Sequence, residues 1–215
     1  MKKSVYSIVL MDDVIRAVDA QAYRLGTSRS NLINQILAEH LSCVTPEMRM
    51  RDIFATLESL VSADFKIQQQ RSESFLTLKT ALEYKYRPTI NYKVELARAP
   101  DCYLGNLTVS IRTQSAQLIA LFDNFFAYWI EMEMSFLSKF GLSDVYAYEL
   151  SQGCFRRKLI NTESLSKINT GEALNSYILL LDKFIKAFFS APQSFNAVAQ
   201  ELENLYSGQL DYFII

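Results

Sequence analysis

A single histidine, His40, in 215 residues gives too few imidazoles for a transition-metal site built on histidine within one chain, and little from which to build a nucleophile–histidine pair. Cysteine is also scarce. Cys43, Cys102 and Cys154 lie more than 50 residues apart and form no C-x-x-C pair, so they are expected as reduced, mostly buried thiols of a cytoplasmic protein. Long apolar runs are missing too. The stretch from Leu118 to Ile130 is interrupted by Asp123 and Asn124 and falls short of the roughly 20 residues a membrane span needs. The opening MKKSVYSIVLMDDV carries an apolar run too short for a signal peptide, which favours a soluble chain with no membrane partner. No P-loop, G-x-G-x-x-G or G-x-S-x-G occurs. Glu131 and Glu133, two apart, fall on different faces of a helix and are expected to be solvated rather than to converge on a site. These absences predict a protein that is not an enzyme and needs no cofactor. Strong net charge is lacking as well, at −1, so any contact with DNA must come from a local feature.

Half of the residues are apolar, 14 of them Phe and 12 Tyr counted in that half, enough for one substantial core with an appendage or for two modest domains. The charge is slightly uneven: up to Arg51 there are seven Lys and Arg against five Asp and Glu, a balance of +2 against −1 for the whole chain.

From Val5 to Leu10 the pattern alternates, placing Tyr6, Ile8 and Leu10 on one face of a strand and Val5, Ser7 and Val9 on the other. Asp12 and Asp13 suit a helix first turn, and Val14, Ile15, Val18, Ala22 and Leu25 follow at helical spacing up to Gly26. Ser28 is a candidate cap for a second helix with Leu32, Ile33, Ile36, Leu37 and Leu41, which Thr45-Pro46 ends. A strand of this length has no partner for its backbone groups and cannot bury its apolar side chains alone. A two-fold dimer solves both problems. The strands pair antiparallel, Tyr6, Ile8 and Leu10 face down onto four helices as a dimer core, and Val5, Ser7 and Val9 face outward.

Over residues 2 to 42 the chain resembles the ribbon-helix-helix transcription factors of the MetJ/Arc type. The resemblance is carried by KKSVYSIVLMDDVIRAV, by YRLG closing the first helix and by TSRSNLINQIL opening the second. It implies a homodimer whose two-stranded ribbon enters the major groove of double-stranded DNA. Val5, Ser7 and Val9 would then face base edges, the amides around Thr27, Ser28 and Arg29 would clamp a phosphate, and Lys2 and Lys3 would add phosphate contacts. The family usually has polar or basic side chains at the outward positions, whereas two here are valine. Valine can touch a thymine methyl but cannot hydrogen-bond a base, so direct readout would rest on Ser7, with DNA shape, phosphate contacts or several dimers side by side supplying the rest.

Beyond Pro46 the sequence resembles no family. Pro46 after Thr45 suits a helix start, and Ile53, Phe54, Leu57, Leu60 and Val61 suggest a connecting helix over 46–63. Three alternating segments follow: Leu76, Leu78, Leu82, Tyr84 and Tyr86; Ile90, Tyr92, Val94 and Leu96; Leu107, Val109 and Ile111. They predict a three-stranded antiparallel meander with one buried face. Ser115 opens a long helix ending near Gly141, apolar around much of its circumference, and further helices are expected over 170–189 and 194–206, with Asn169 or Thr170 and Ser194 as caps. The apolar ending Asp211-Tyr-Phe-Ile-Ile suggests a tail docked in a core or a partner. Arg156-Arg157-Lys158 reads as a solvated surface turn or, less readily, as a DNA-backbone contact.

The expected whole is a helix-rich α+β protein: a ribbon-helix-helix unit over 1–45, a connecting helix over 46–63, and an α+β domain over 64–215 with a meander packed on long helices. That domain would set oligomeric state or hold a small-molecule effector or protein partner, although aromatic residues in such numbers are more often core. The function expected is a sequence-specific repressor, prokaryotic or of a plasmid or phage. A plasmid segregation or transfer-origin accessory protein, and a ribbon that serves dimerisation alone, are the alternatives.

Overall fold

The computed structural model describes residues 5–60, 64–68, 74–85, 87–98, 103–139, 141, 147–160, 169–190, 192 and 195–209. The chain divides between Arg49 and Met50 into two compact units. The first contains helices α1 (Asp12–Leu25) and α2 (Arg29–His40). The division falls inside α3 (Pro46–Leu60), whose N-terminus is capped by Thr45 Oγ1 accepting the Met48 N–H at 3.1 Å. From Met50 onward this helix is more than a connector, because Met50, Ile53, Phe54 and Leu57 are buried in the core of the second unit.

The second unit is α+β. Among the described residues its sheet has six strands rather than the three expected: β1 (Lys66–Gln68), β2 (Phe75–Ala81), β3 (Thr89–Leu96), β4 (Tyr103–Arg112), β5 (Tyr148–Ser151) and β6 (Cys154–Ile160). Every neighbouring pair is antiparallel, in the order β1-β2-β3-β4-β6-β5. The central strands follow the period of two. Ile90, Tyr92, Val94 and Leu96 pair across with Ile111, Val109, Leu107 and Gly105, all buried, while Thr89, Asn91, Lys93 and Glu95 alternate on the half-buried opposite face. β2 ends at Ala81, so Leu82 and Tyr84 lie beyond it, and Tyr86 lies outside the described residues.

The hairpin of β5 and β6 escaped the sequence reading because its strands are short and charged. Gln152 and Gly153, at φ 31° and 78°, make the two-residue turn with both central residues left-handed that matches strand twist. The Gly153 N–H donates to Asp123 Oδ1 at 2.8 Å and so fastens the turn to the long helix α4 (Ala116–Ser138). Arg156-Arg157-Lys158 is therefore not a surface turn. It lies in β6, where alternation sends Arg157 into the core, fully buried, and leaves exposed Arg156 and half-buried Lys158 on the other face.

Ser115 Oγ caps α4 by accepting the Leu118 N–H at 3.4 Å, and Asn169 Oδ1 accepts the Gly171 N–H at 2.8 Å at the start of α5 (Thr170–Ser190). Together with α6 (Asn196–Gly208), which begins beyond the expected Ser194 cap, they complete the helices; Ser194 and residues 210–215 lie outside the described residues. Helices cover the apolar side of the sheet. Phe126 of α4 stacks on Phe155 of β6 with ring centroids 4.3 Å apart, and the buried Tyr92 hydroxyl of β3 donates to Asp182 Oδ1 of α5 at 2.8 Å. No helix among the described residues is long and apolar enough to cross a membrane. The cysteines differ from expectation: Cys43 is exposed, Cys154 is half-buried, and Cys102 lies outside the described residues.

Glu133 also departs from the expected solvated position, although Glu131 keeps it. Glu133 is fully buried and pairs with the equally buried Arg157, Oε1 to Nε, at 3.1 Å. Tyr206 donates to Oε1 at 2.9 Å, Tyr177 donates to Oε2 at 3.1 Å, and Trp129 Nε1 donates to the Tyr177 hydroxyl at 3.0 Å. The Arg157 guanidinium lies over the Tyr177 ring, 4.4 Å from its centroid. One carboxylate thus ties α4 to β6, α5 and α6. Burial first, and the charge of Glu133 second, hold the phenols of Tyr177 and Tyr206 well above their ordinary pKa.

Replacing Glu133 by Leu removes the carboxylate paired with a buried guanidinium and is expected to lower stability by about 3–5 kcal/mol, read as a drop in melting temperature on the order of 10 °C. The raised phenol values add a pH dependence. Their contribution is fully present below about pH 10, the ordinary tyrosine value, and is lost as pH climbs toward the folded-state values. Alkaline titration followed by ultraviolet difference spectroscopy is therefore expected to show a group of tyrosines that ionises only together with unfolding. Smooth ionisation of all tyrosines in the folded protein would contradict this.

Candidate nucleic-acid interface

The first unit has little core of its own. Val18 and Ala22 of α1 and Leu32 of α2 are buried together, with Ile33 packed against them. Other apolar side chains on the same two helices stay in solvent, among them Val14, Leu25, Ile36 and Leu37. The segment ahead of α1 is barer still: Val5 and Val9 are 99% and 101% exposed, Tyr6 86% and Ile8 57%, while Ser7 is exposed and Leu10 half-buried. Residues 5–10, expected as a strand, pair with no strand of this chain among the described residues. The physical reason is the one that makes a dimer attractive: a strand needs a neighbour for its backbone groups, and the six-stranded sheet belongs to the other unit.

The joint between the helices is tightly specified. Gly26 takes the left-handed conformation at φ 64°, its N–H donates to the Tyr23 carbonyl at 3.2 Å, and the Thr27 N–H reaches the Ala22 carbonyl at 3.0 Å, the paired bonds of a Schellman ending. Ser28 is extended and its Oγ accepts the Asn31 N–H at 3.2 Å, while Asn31 Nδ2 donates to Thr27 Oγ1 at 3.0 Å. These bonds satisfy the third amide of α2 and leave the amides of Arg29 and Ser30 at the open, positive end of the helix. That is a geometry suited to an anion.

Arg29 itself is turned elsewhere. Its Nε and Nη2 both donate to the Asp19 carboxylate at 2.5 Å, so the guanidinium braces α2 against α1. Hydrogen bonding to Asp19 first, and its charge second, raise the Arg29 pKa above the ordinary value and keep it cationic. The phosphate contact expected near Arg29 would accordingly fall to backbone amides rather than to this side chain. Asp19 was not singled out from sequence, although its spacing from Arg29 across a helix joint is a usable signal for such a brace. Lys2 and Lys3 lie outside the described residues. Among the described residues no cluster of His, Cys, Asp and Glu is arranged to hold a metal ion.

Comparison with protein-family models, with curated proteins and with solved structures returned no match.

Replacing Ser28 by Ala removes the α2 cap and is expected to destabilise the first unit by about 1 kcal/mol. Replacing Arg29 by Ala, which breaks only an exposed ion pair, is expected to leave the melting temperature nearly unchanged. Circular dichroism melts of the full chain compare the two, and an Arg29 variant that melts earlier than the Ser28 variant would reverse the ranking.

Proposed function

We propose that the protein is a DNA-binding regulator, acting as a repressor, that docks a two-stranded ribbon made by residues 5–10 of two subunits into the major groove of its operator. The observation that carries the reading is the bare apolar segment, Tyr6 and Ile8 above all, leading into two helices that cannot cover it from within one chain. A unit of this size with so small a core is marginal alone, and a second copy supplies both the missing strand partner and the missing apolar contact. Pairing turns Tyr6, Ile8 and Leu10 onto the helices and Val5, Ser7 and Val9 outward. The capped joint at Thr27, Ser28 and Arg29 adds an anion-facing helix end at a place where a backbone phosphate would lie. With valine at two of three outward positions, hydrogen-bonded readout rests on Ser7, and operator choice leans on thymine methyls, DNA deformability and adjacent dimers.

The two faces of the ribbon separate dimerisation from DNA binding. Ile8→Asp is expected to leave a monomer in sedimentation equilibrium and to abolish duplex binding. Val9→Asp is expected to keep the dimer while weakening duplex affinity by at least about a hundredfold, since a carboxylate then faces the DNA. Sequencing of duplexes selected by the full chain at a stated salt concentration is expected to recover a palindrome bound on the order of a thousandfold tighter than scrambled DNA. A dimer that selects no duplex would reduce the ribbon to a dimerisation device. A long array of repeats in place of one palindrome would point to plasmid segregation.

A further inference from the structure

The six-stranded sheet has two unlike faces. Helices cover one. The other is polar and unevenly charged, which a net charge of −1 for the chain gives no reason to expect. Following the register across the sheet, this face presents Lys66 of β1, Lys79 of β2, Lys93 of β3, Arg112 of β4, and Arg156 and Lys158 of β6. Against these six cations stand, among the described strand residues of this face, two carboxylates, Glu95 and Glu149. Both are already engaged, Glu95 with Lys93 at 2.7 Å and Glu149 with Arg156 at 3.2 Å. Lys66 and Lys79 are direct cross-strand partners, a like-charge pairing that disfavours the strand contact unless an anion sits between them. All six cations are exposed or half-buried.

Neutral hydrogen-bonding side chains fill the spaces between the charges: Asn91, Asn106, Thr108 and Ser110 lie on the same face of the two central strands. Two rings stand on it as well. Lys93 Nζ lies 4.7 Å from the Phe75 ring centroid, and Lys158 Nζ lies 5.7 Å from that of Tyr103, which is 37% exposed.

We infer that this open sheet face binds single-stranded nucleic acid. The cations match a phosphodiester backbone, the amides and hydroxyls match unpaired base edges, and the rings offer stacking surfaces. A duplex keeps its base faces stacked and its Watson–Crick edges paired, so on an open sheet it would use the charges alone. A second copy of the same face would bring like charge against like charge. The inference concerns the second unit only and does not depend on the ribbon formed by residues 5–10.

The test is fluorescence anisotropy of the full chain with a mixed-sequence single-stranded DNA of about 20 nucleotides, long enough to cross the sheet. Parallel arms use the same sequence as a duplex and anionic phosphatidylserine vesicles. Replacing Lys66, Lys79 and Lys158 together by Gln is expected to weaken single-strand binding by about tenfold or more and to lower the slope of log affinity against log salt by about 2, from roughly 0.7 for each lost phosphate contact. Tyr103→Ala is expected to weaken it by about tenfold through lost stacking. Removing the carboxylates, Glu95→Gln with Glu149→Gln, is expected to tighten it, a gain that misfolding cannot imitate. Val9→Asp is expected to leave single-strand affinity unchanged while duplex affinity falls, which separates this face from the ribbon. The inference is overturned if the lysine variant binds the single strand as the parent does, if the carboxylate variant binds no tighter, or if only the duplex or the vesicles are bound.

Discussion

A carboxylate with no access to water holds the larger unit together. Glu133 on α4 meets Arg157 from β6 and the hydroxyls of Tyr177 and Tyr206 from α5 and α6, so four elements converge on one charge. Burying such a pair is expensive in desolvation, which is offset because two tyrosine hydroxyls also donate to the carboxylate and the guanidinium rests on an aromatic face. In return it fixes geometry. An all-apolar contact between α4 and β6 would accept small rotations of the helix, whereas the ion pair and two phenols accept one placement. That placement also orients the sheet, since turning Arg157 inward obliges Arg156 and Lys158 to face the other way.

The smaller unit shows the opposite economy. Its helix ends are closely specified by the Gly26 turn, the Ser28 cap and the Asp19–Arg29 brace, yet few side chains are buried. Local structure is well determined, while Val14, Leu25, Ile36 and Leu37 of the apolar stripe stay exposed. In the proposed dimer, association would supply that cover and convert residues 5–10, which pair with no strand among the described residues, into a strand. The larger unit needs no such help for its core, and its uncovered face is polar.

Much of the fold is legible from residues alone. Gly26, Ser28, Thr45 and Ser115 act through their own backbone neighbours, so the helix boundaries they set do not depend on distant contacts. The alternation of β3 and β4 reads directly, because one face is buried and the other is not. Less legible was the hairpin of β5 and β6, where charged residues hide a buried face. Glu133 gave a faint signal, a carboxylate between two methionines in an apolar helix, but a charge in that setting is usually solvated. The candidate ribbon face was readable as a pattern, and the true partner of Arg29 was not.

By itself the sequence determined what short-range physics decides: the period-two strands, the helix caps, the left-handed turn at Gly26, and the alternation of the amino-terminal segment. Only the tertiary structure decided that Arg157 and Glu133 meet and that six cations share one face of the sheet. Those facts depend on strand order and register between segments far apart in the chain, and no local preference encodes which distant strand will be the neighbour.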